Sequence, residues 1–386
     1  MKRFAIVALV FLQIAVFATE KCRLTSNAIA DGVDEYTLSN GVIAVKCVPE
    51  LSGLISGFAS IGEGREMIEP VKCTVKRDDL LPWRCQACLT GVRELVRGIK
   101  VGIHTRYVLR SKTCTEECAE LVLTGRGFYR WNINAEKRIT LRQGESRMRI
   151  ALTLTAAEDI EQPLLLWFNG IAQMGQGRDT VLLPVCNTAE ARANCKMGTF
   201  TGNGIFADWT VPPQDIYAAP LAPWIARFSS ERAGVLALKL DDCLIDGGAM
   251  VSWKHLALPL HTAEVIFPPM RLKKGETWQT ISDFIYFPEL PGLRTVVGTY
   301  GLDWNGRELM VASAVPVPPG KLALRWRDKN GNVGELGEFN LPALEPGKLA
   351  RCPMQGRVPA DDCALFGTLP GNHPFELPGM VRLVAQ

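Results

Sequence analysis

Polar and apolar residues alternate along Arg147-Met-Arg-Ile-Ala-Leu-Thr-Leu-Thr155, the two-residue period of a half-buried antiparallel strand. Comparable runs rich in Val, Ile, Leu, Thr and aromatics recur at Val42–Val48, Ile99–Arg110, Glu120–Thr124 and Glu136–Leu141. They continue at Pro163–Phe168, Gly234–Leu240, Thr262–Phe267 and Thr277–Phe287. The 35 glycines and 24 prolines are spread between these runs and mark frequent turns. No amphipathic helix of more than two or three turns is visible, and Thr188–Lys196 has room for one short turn. Many short strands with few helices predict an all-β sandwich architecture.

Length adds a boundary. The chain up to Trp304 exceeds a simple sandwich of roughly 100 residues. The stretch beyond it carries its own strand candidates at Glu308–Val317, Leu322–Asp328, Val333–Asn340 and Val381–Val384. Turns at Asp328-Lys-Asn-Gly331 and Glu345-Pro-Gly347 divide them. The expected division is therefore a large all-β domain over 19–304 and a small β-sandwich over 305–386.

The first residues are of another kind. Lys2 and Arg3 precede an almost unbroken apolar run from Phe4 to Phe17, and Val16-Phe17-Ala18 supplies small residues for cleavage. This is the pattern of a secretory signal peptide over 1–18, too short to span a bilayer comfortably. No later segment is long and apolar enough to be membrane-spanning, so the expectation is a secreted or periplasmic protein.

Export decides how the 12 cysteines are read. An even number in an oxidising compartment favours disulfides, with Cys186–Cys195 and Cys352–Cys363 as local pairs. Closing loops of that size is worth about 2–3 kcal/mol each. Cys85-x-x-Cys88 with Cys114-x-x-x-Cys118 leaves an alternative open, because four thiolates at such spacing can build a tetrahedral zinc site. A redox pair is the third reading, without a thioredoxin-like strand–helix context to support it.

Charge narrows the partners. Cleavage after Ala18 removes two of 43 basic residues and leaves a chain near neutrality against 40 acidic ones. No Lys/Arg run rises above a solvated face, so nothing points to nucleic acid. There is no His-x-x-x-His or Glu-x-x-His pair, no phosphate-cradling glycine loop and no Gly-x-Ser-x-Gly elbow. The sequence points to no metal and no cofactor beyond the cysteine alternative.

Three stretches, in order, carry a resemblance. The first is Asn40-Gly-Val-Ile-Ala-Val-Lys-Cys-Val-Pro-Glu-Leu-Ser-Gly-Leu-Ile55. The second is Glu136-Lys-Arg-Ile-Thr-Leu-Arg-Gln-Gly144, followed by Arg147–Thr155 and Pro163-Leu-Leu-Leu-Trp-Phe-Asn-Gly170. The third is Thr262-Ala-Glu-Val-Ile-Phe-Pro-Pro-Met-Arg-Leu-Lys-Lys-Gly-Glu-Thr-Trp278. Over roughly 34–287 the chain resembles the galactose mutarotase-like (aldose 1-epimerase-like) β-supersandwich family. The resemblance implies a large antiparallel β-supersandwich with its site on a concave sheet face.

It also implies chemistry. Sugar epimerases of this type pair a carboxylate base with a histidine acid, two groups whose different pKa values allow opposite protonation states at neutral pH. Glu264 stands where the resemblance puts the base. The family's Asn-His-x-Tyr-Phe-Asn stretch corresponds to Leu165-Leu-Trp-Phe-Asn169, which has no histidine. His255 and His261, close to Glu264 in sequence, are the replacement candidates for the acid. The plainer reading of each is a structural or solvated strand residue.

Binding needs less. Sugars are held by aromatic rings on their apolar faces and by planar hydrogen-bonding groups on their hydroxyls. Among nine tryptophans, Trp209, Trp224 and Trp253 lie in or beside polar, loop-like sequence. Buried packing is the usual role of such rings. Arg106 and Arg149 alternate with apolar neighbours and would suit a uronate carboxylate on the concave face, with surface ion pairing as the plainer role. The expectation is an exported carbohydrate-binding protein, non-catalytic, for a mono- or oligosaccharide. An epimerase- or lyase-like enzyme using Glu264, or a structural cell-surface protein, are the alternatives. The oligomeric state is not legible.

Overall fold

The computed structural model describes residues 21–68, 75–76, 84–85, 91–96, 105–128, 131–171, 179–187, 199–208, 216–229, 232–241, 247–254, 261–354, 358 and 363–384. Among them the chain is built from strands with one short 3-10 turn at Pro49–Leu51. The expected all-β class is what forms. Two ten-stranded sheets make the large unit, and two four-stranded sheets make the small one.

The first large sheet begins at Arg23–Ala30 and runs through Val33–Ser39, Ile43–Val48 and Leu54–Ser60. It continues through Gly91–Val96, Leu166–Ile171, His261–Ile266 and Ala249–Lys254 to Ile216–Ala218. The second has Arg147–Ala156 near its centre, paired with Ile133–Arg142 on one side and Thr277–Phe287 on the other. Its strands alternate as the sequence does: Met148, Ile150, Leu152 and Leu154 are buried, while Arg147, Arg149, Ala151 and Thr153 are not. The buried sets of both sheets interdigitate in one core that includes Val45, Phe58, Val92, Phe168, Val265, Leu121, Ile139 and Ile150. Removing such surfaces from water is the main force holding the sheets face to face.

The small sandwich pairs Thr295–Val297, Tyr300–Trp304, Glu308–Ser313 and Leu349–Pro353 in one sheet. Val333–Leu341, Gly320–Arg327, Ala364–Leu369 and His373–Leu377 form the other. Its first strand lies upstream of the expected join at 304/305. Tyr300-Gly-Leu-Asp-Trp304 reads as the end of the preceding aromatic series, yet its partner is Glu308–Ser313. Between the two units, Leu182, Trp224, Val235, Ile285 and Phe287 pack on Leu290, Leu293, Met310 and Ala312. A Cβ on Gly301 would stand 2.7 Å from the Phe287 ring, so this contact requires glycine there. The C-terminal segment then returns to the large unit: Met380–Val381 pairs parallel with Ile205–Phe206, and Leu383–Val384 pairs with Thr199–Phe200.

One expectation about cysteine is corrected. Cys352 and Cys363 are both unpaired thiols. They belong to opposite sheets of the small sandwich, Cys352 within Leu349–Pro353 and Cys363 just before Ala364–Leu369, so a short sequence loop does not make them neighbours. Cys195 and Cys88 lie outside the described residues, as does the segment 1–18. Cys114 and Cys118 close the hairpin between Tyr107–Cys114 and Cys118–Arg126, with Cys22 hydrogen-bonded to the turn through its backbone amide to Glu116. Among the described residues no group of His, Cys, Asp and Glu is arranged to hold a metal ion. No helix among them is long and apolar enough to cross a membrane.

Candidate functional site

The strand His261–Ile266 sits inside the first sheet, between Leu166–Ile171 and Ala249–Lys254. Alternation sends His261, Ala263 and Val265 toward the second sheet, and Thr262, Glu264 and Ile266 to the opposite, outer face. Register then builds a row on that outer face. Glu264 pairs with Val251 and Val251 with Tyr217, while Arg93 reaches the same face across the backbone register of the 166–171 strand. Two tryptophans flank the row. Trp167 stands opposite Ile266 and Trp253 opposite Thr262, so each is a diagonal neighbour of Glu264 on an adjoining strand.

Exposure separates these residues. Glu264, Trp167, Trp253 and Tyr217 are half-buried, whereas Arg93 is covered. The Thr262 hydroxyl donates to Glu264 Oε1 at 2.9 Å and so orients the carboxylate. The buried Trp167 indole N–H has no hydrogen-bond partner among the described residues. A half-buried carboxylate between two indole rings can accept hydroxyl hydrogen bonds while the rings cover apolar ring faces.

His261 belongs to a different assembly. Its Nδ1 lies 2.6 Å from the Asp179 carbonyl oxygen, which can only accept, so that nitrogen carries the proton. Its Nε2 is 2.6 Å from the Ser252 hydroxyl, which is also 2.5 Å from Asp208 Oδ2. Lys254 Nζ donates to Asp208 Oδ1 at 2.6 Å. Arg227 donates to the His261 carbonyl and stands 3.6 Å from Asp179 Oδ2. All six side chains are buried. Ser252, Lys254 and His261 come from the first sheet; Asp208 and Arg227 come from the second, with Asp179 at the start of its Thr180–Val185 strand.

Electrostatics follows from that burial. Burial pushes the Asp208 carboxyl up, but hydrogen bonding with its His261, Lys254 and Ser252 neighbours outweighs it and holds the group well below the usual range. For His261, burial dominates and lowers the pKa against the opposing pull of Asp208, with Arg227 adding to the lowering. The buried imidazole, an ionised carboxylate and two cations together form a polar cross-link between the sheets. A Ser–His contact of this kind would suggest a nucleophile, but Ser252 is fully buried and a carbonyl, not a carboxylate, orients the ring.

The sequence-predicted residues therefore separate. Glu264 and Trp253 share the outer face. His261 is turned away from them into the sandwich. Arg149 is on the far side of the molecule, gripping Asp283 bidentately at 2.8 and 2.9 Å on the outer face of the second sheet. Arg106 is exposed beside the start of Tyr107–Cys114, outside the row that contains Glu264. Trp224 is a core residue between the two units. Trp209 and His255 lie outside the described residues. Sequence reasoning missed Trp167 and Tyr217 on the outer face, and Asp179, Asp208, Arg227, Ser252 and Lys254 within. The signal for the last pair was present: in Met250-Val-Ser-Trp-Lys254 the alternate positions place Ser252 and Lys254 on the face of Met250.

No family model matches the sequence, and no curated protein matches it. Among solved structures, a galactose mutarotase-like protein from Clostridium acetobutylicum aligns with a TM-score of 0.51 at 8% identity, covering 69% of this chain and 98% of that one. The mutarotase-like protein YeaD from Salmonella typhimurium aligns with a TM-score of 0.50 at 8% identity, covering 68% of this chain and 93% of that one. At such identity the likeness shows the fold alone. The chain has the galactose mutarotase-like fold, as the three sequence stretches imply.

Proposed function

We propose that this protein binds a carbohydrate on the outer face of its first sheet and does so without turning it over. The observation that carries the reading is the placement of Glu264 between Trp167 and Trp253, three half-buried side chains on one face of three adjoining strands. Two indole rings separated by a hydroxyl-accepting carboxylate match what a pyranose presents, apolar ring faces bounded by hydroxyl donors. Fold alone does not assign a ligand, so the reading rests on these side chains. The absence of turnover is supported by the commitment of His261 to the interior, which removes one candidate acid from the carboxylate's side. The apolar leader with its small-residue site supports export, to the periplasm or beyond, as the compartment of this binding.

The test is a thermal-shift screen of the purified protein against neutral sugars, uronates and oligosaccharides. A saturating ligand at a hundred times its Kd adds about 2.7 kcal/mol and raises the Tm by several degrees. Loss of the shift in Trp253→Ala with retention in Glu264→Gln supports binding without turnover. Ligand conversion that stops in Glu264→Gln would replace this reading with the epimerase- or lyase-like enzyme. A hit unaffected by Trp253→Ala would remove the site from this face.

A further inference from the structure

A cleft of about 840 Å³ opens where the small sandwich, the returning C-terminal segment and the large unit meet. Its size is that of a small-molecule site. It shares no residue with the outer face around Glu264. Trp304, half-buried, lines it next to Arg294, with Asn203 from the large unit and Glu376 from the small sandwich. Leu221 and Met380 contribute apolar wall.

The informative residue is Arg294. Its side chain is 21% exposed, yet among the described residues its fork finds only the Trp304 carbonyl at 3.5 Å and the Asp303 carboxylate at 3.8 Å. Five guanidinium donors with one long hydrogen bond and one loose ion contact leave most of the fork's capacity unused. Asp303 meets the fork at one edge only, at 3.8 Å from Nε, while its carboxyl also accepts from the Trp304 backbone. Asn203 accepts from the Asn187 amide through Oδ1, which leaves its Nδ2 donors for a ligand. Glu376 reaches Arg327 only at 3.5 Å.

We propose that this cleft is a second ligand site, taking a sugar ring that carries a carboxylate: a uronate, free or at the end of an oligosaccharide. The planar fork of Arg294 matches a carboxylate bidentately, the Trp304 ring covers the sugar's apolar face, and Asn203 and Glu376 meet its hydroxyls. This goes beyond the outer-face reading and stands on different residues.

Calorimetry on the full chain tests it, with trigalacturonate as the probe, its methyl ester as the uncharged counterpart, and inorganic phosphate as the competitor. Saturable binding of trigalacturonate is expected, at least tenfold tighter than the ester. Arg294→Gln is expected to weaken it tenfold or more, and Arg294→Lys, which keeps the charge but loses the fork, by a similar amount. Trp253→Ala, which disables the outer face, leaves this binding intact. The proposal is overturned if the ester binds as tightly as the acid, if Arg294→Gln binds as the parent does, or if millimolar phosphate displaces the saccharide completely. Loss of trigalacturonate binding in Trp253→Ala would assign it to the outer face instead. Should Arg294→Gln fail to fold, the ester comparison on the unaltered protein still decides.

Discussion

His261 and Glu264 lie three residues apart on one strand and face opposite sides of the sheet: the imidazole bonds Ser252 and the Asp179 carbonyl within the sandwich, and the carboxylate accepts from Thr262 outside it. A period-two strand makes this unavoidable, and it separates an outward carboxylate from an inward cross-link along a six-residue element. His261→Ala should cost about 2–4 kcal/mol, because it strips partners from a buried hydroxyl and a buried carbonyl. Glu264→Gln should stay within about 0.5 kcal/mol, the usual range for a partly exposed position. Denaturant unfolding of both variants checks the contrast; equal losses would contradict the facing.

A second inter-sheet pair makes a sharper test. Lys137 Nζ donates to Glu94 Oε2 and to the Gly53 carbonyl, both at 2.8 Å, with both side chains essentially without solvent contact. Lys137→Met deprives the buried Glu94 carboxylate of its ammonium partner, at an expected cost of about 3–5 kcal/mol. Adding Glu94→Gln should recover a large part of that loss, since breaking a buried pair is far worse than replacing it. A double-mutant cycle by urea unfolding measures the recovery. Additive losses would mean that the two groups do not act as a pair.

How much of this was legible depended on which side of a strand water reaches. Arg147–Ala156 and Ile133–Arg142 announced themselves because one face is core and the other solvent. Arg23–Ala30 did not, being an edge strand whose residues are mostly exposed, so its sequence carries no alternation. Gly91–Val96 failed for the opposite reason: it is buried on both faces, and Arg93 and Glu94 give it a polar look that tertiary partners explain. At the site, the type of residue was readable but not its side. Glu264 and Trp253 share a face, while Arg149 alternates as well and belongs to the far sheet, where Asp283 holds it. Period two says that two faces exist. Pairing between distant strands decides which face meets which.

Acid should weaken the interior network. The folded His261 ring has a pKa below its ordinary 6.5, so the unfolded chain binds the proton more readily. Stability from this group is complete at neutral pH and is lost as the pH falls from about 6.5 toward the lowered folded value. Asp208 acts in the same direction at lower pH: its contribution is present above the ordinary carboxylate range and lost below it. Unfolding free energy should therefore fall between pH 7 and 5, by at most about 1.4 kcal/mol per pH unit for one proton. His261→Gln, although less stable overall, should show a shallower slope across that window. An unchanged slope would place the responsible group elsewhere.

The C-terminal return closes the edge of the second sheet, and its removal should be visible as association. Gly379 accepts from the Ile205 amide at 2.8 Å, Arg382 accepts from the Thr201 amide at 2.9 Å, and Met380–Val381 covers Ile205–Phe206 in parallel. Gly204 fits beneath this segment only because it lacks a side chain, since a Cβ there would approach the Gly379 carbonyl oxygen to 2.4 Å. Ending the chain at Leu377 deletes those bonds and bares the backbone of Gly204–Asp208, a strand rich in buried apolar residues. Each lost backbone bond is worth about 1 kcal/mol, so a drop of a few kcal/mol in stability is expected. An uncovered, apolar edge also recruits other chains. Light scattering coupled to size exclusion should show the truncated protein shifting to larger species as its concentration rises, while the full chain keeps its mass. A truncated protein of unchanged Tm and unchanged mass would mean that the return segment does not guard this edge.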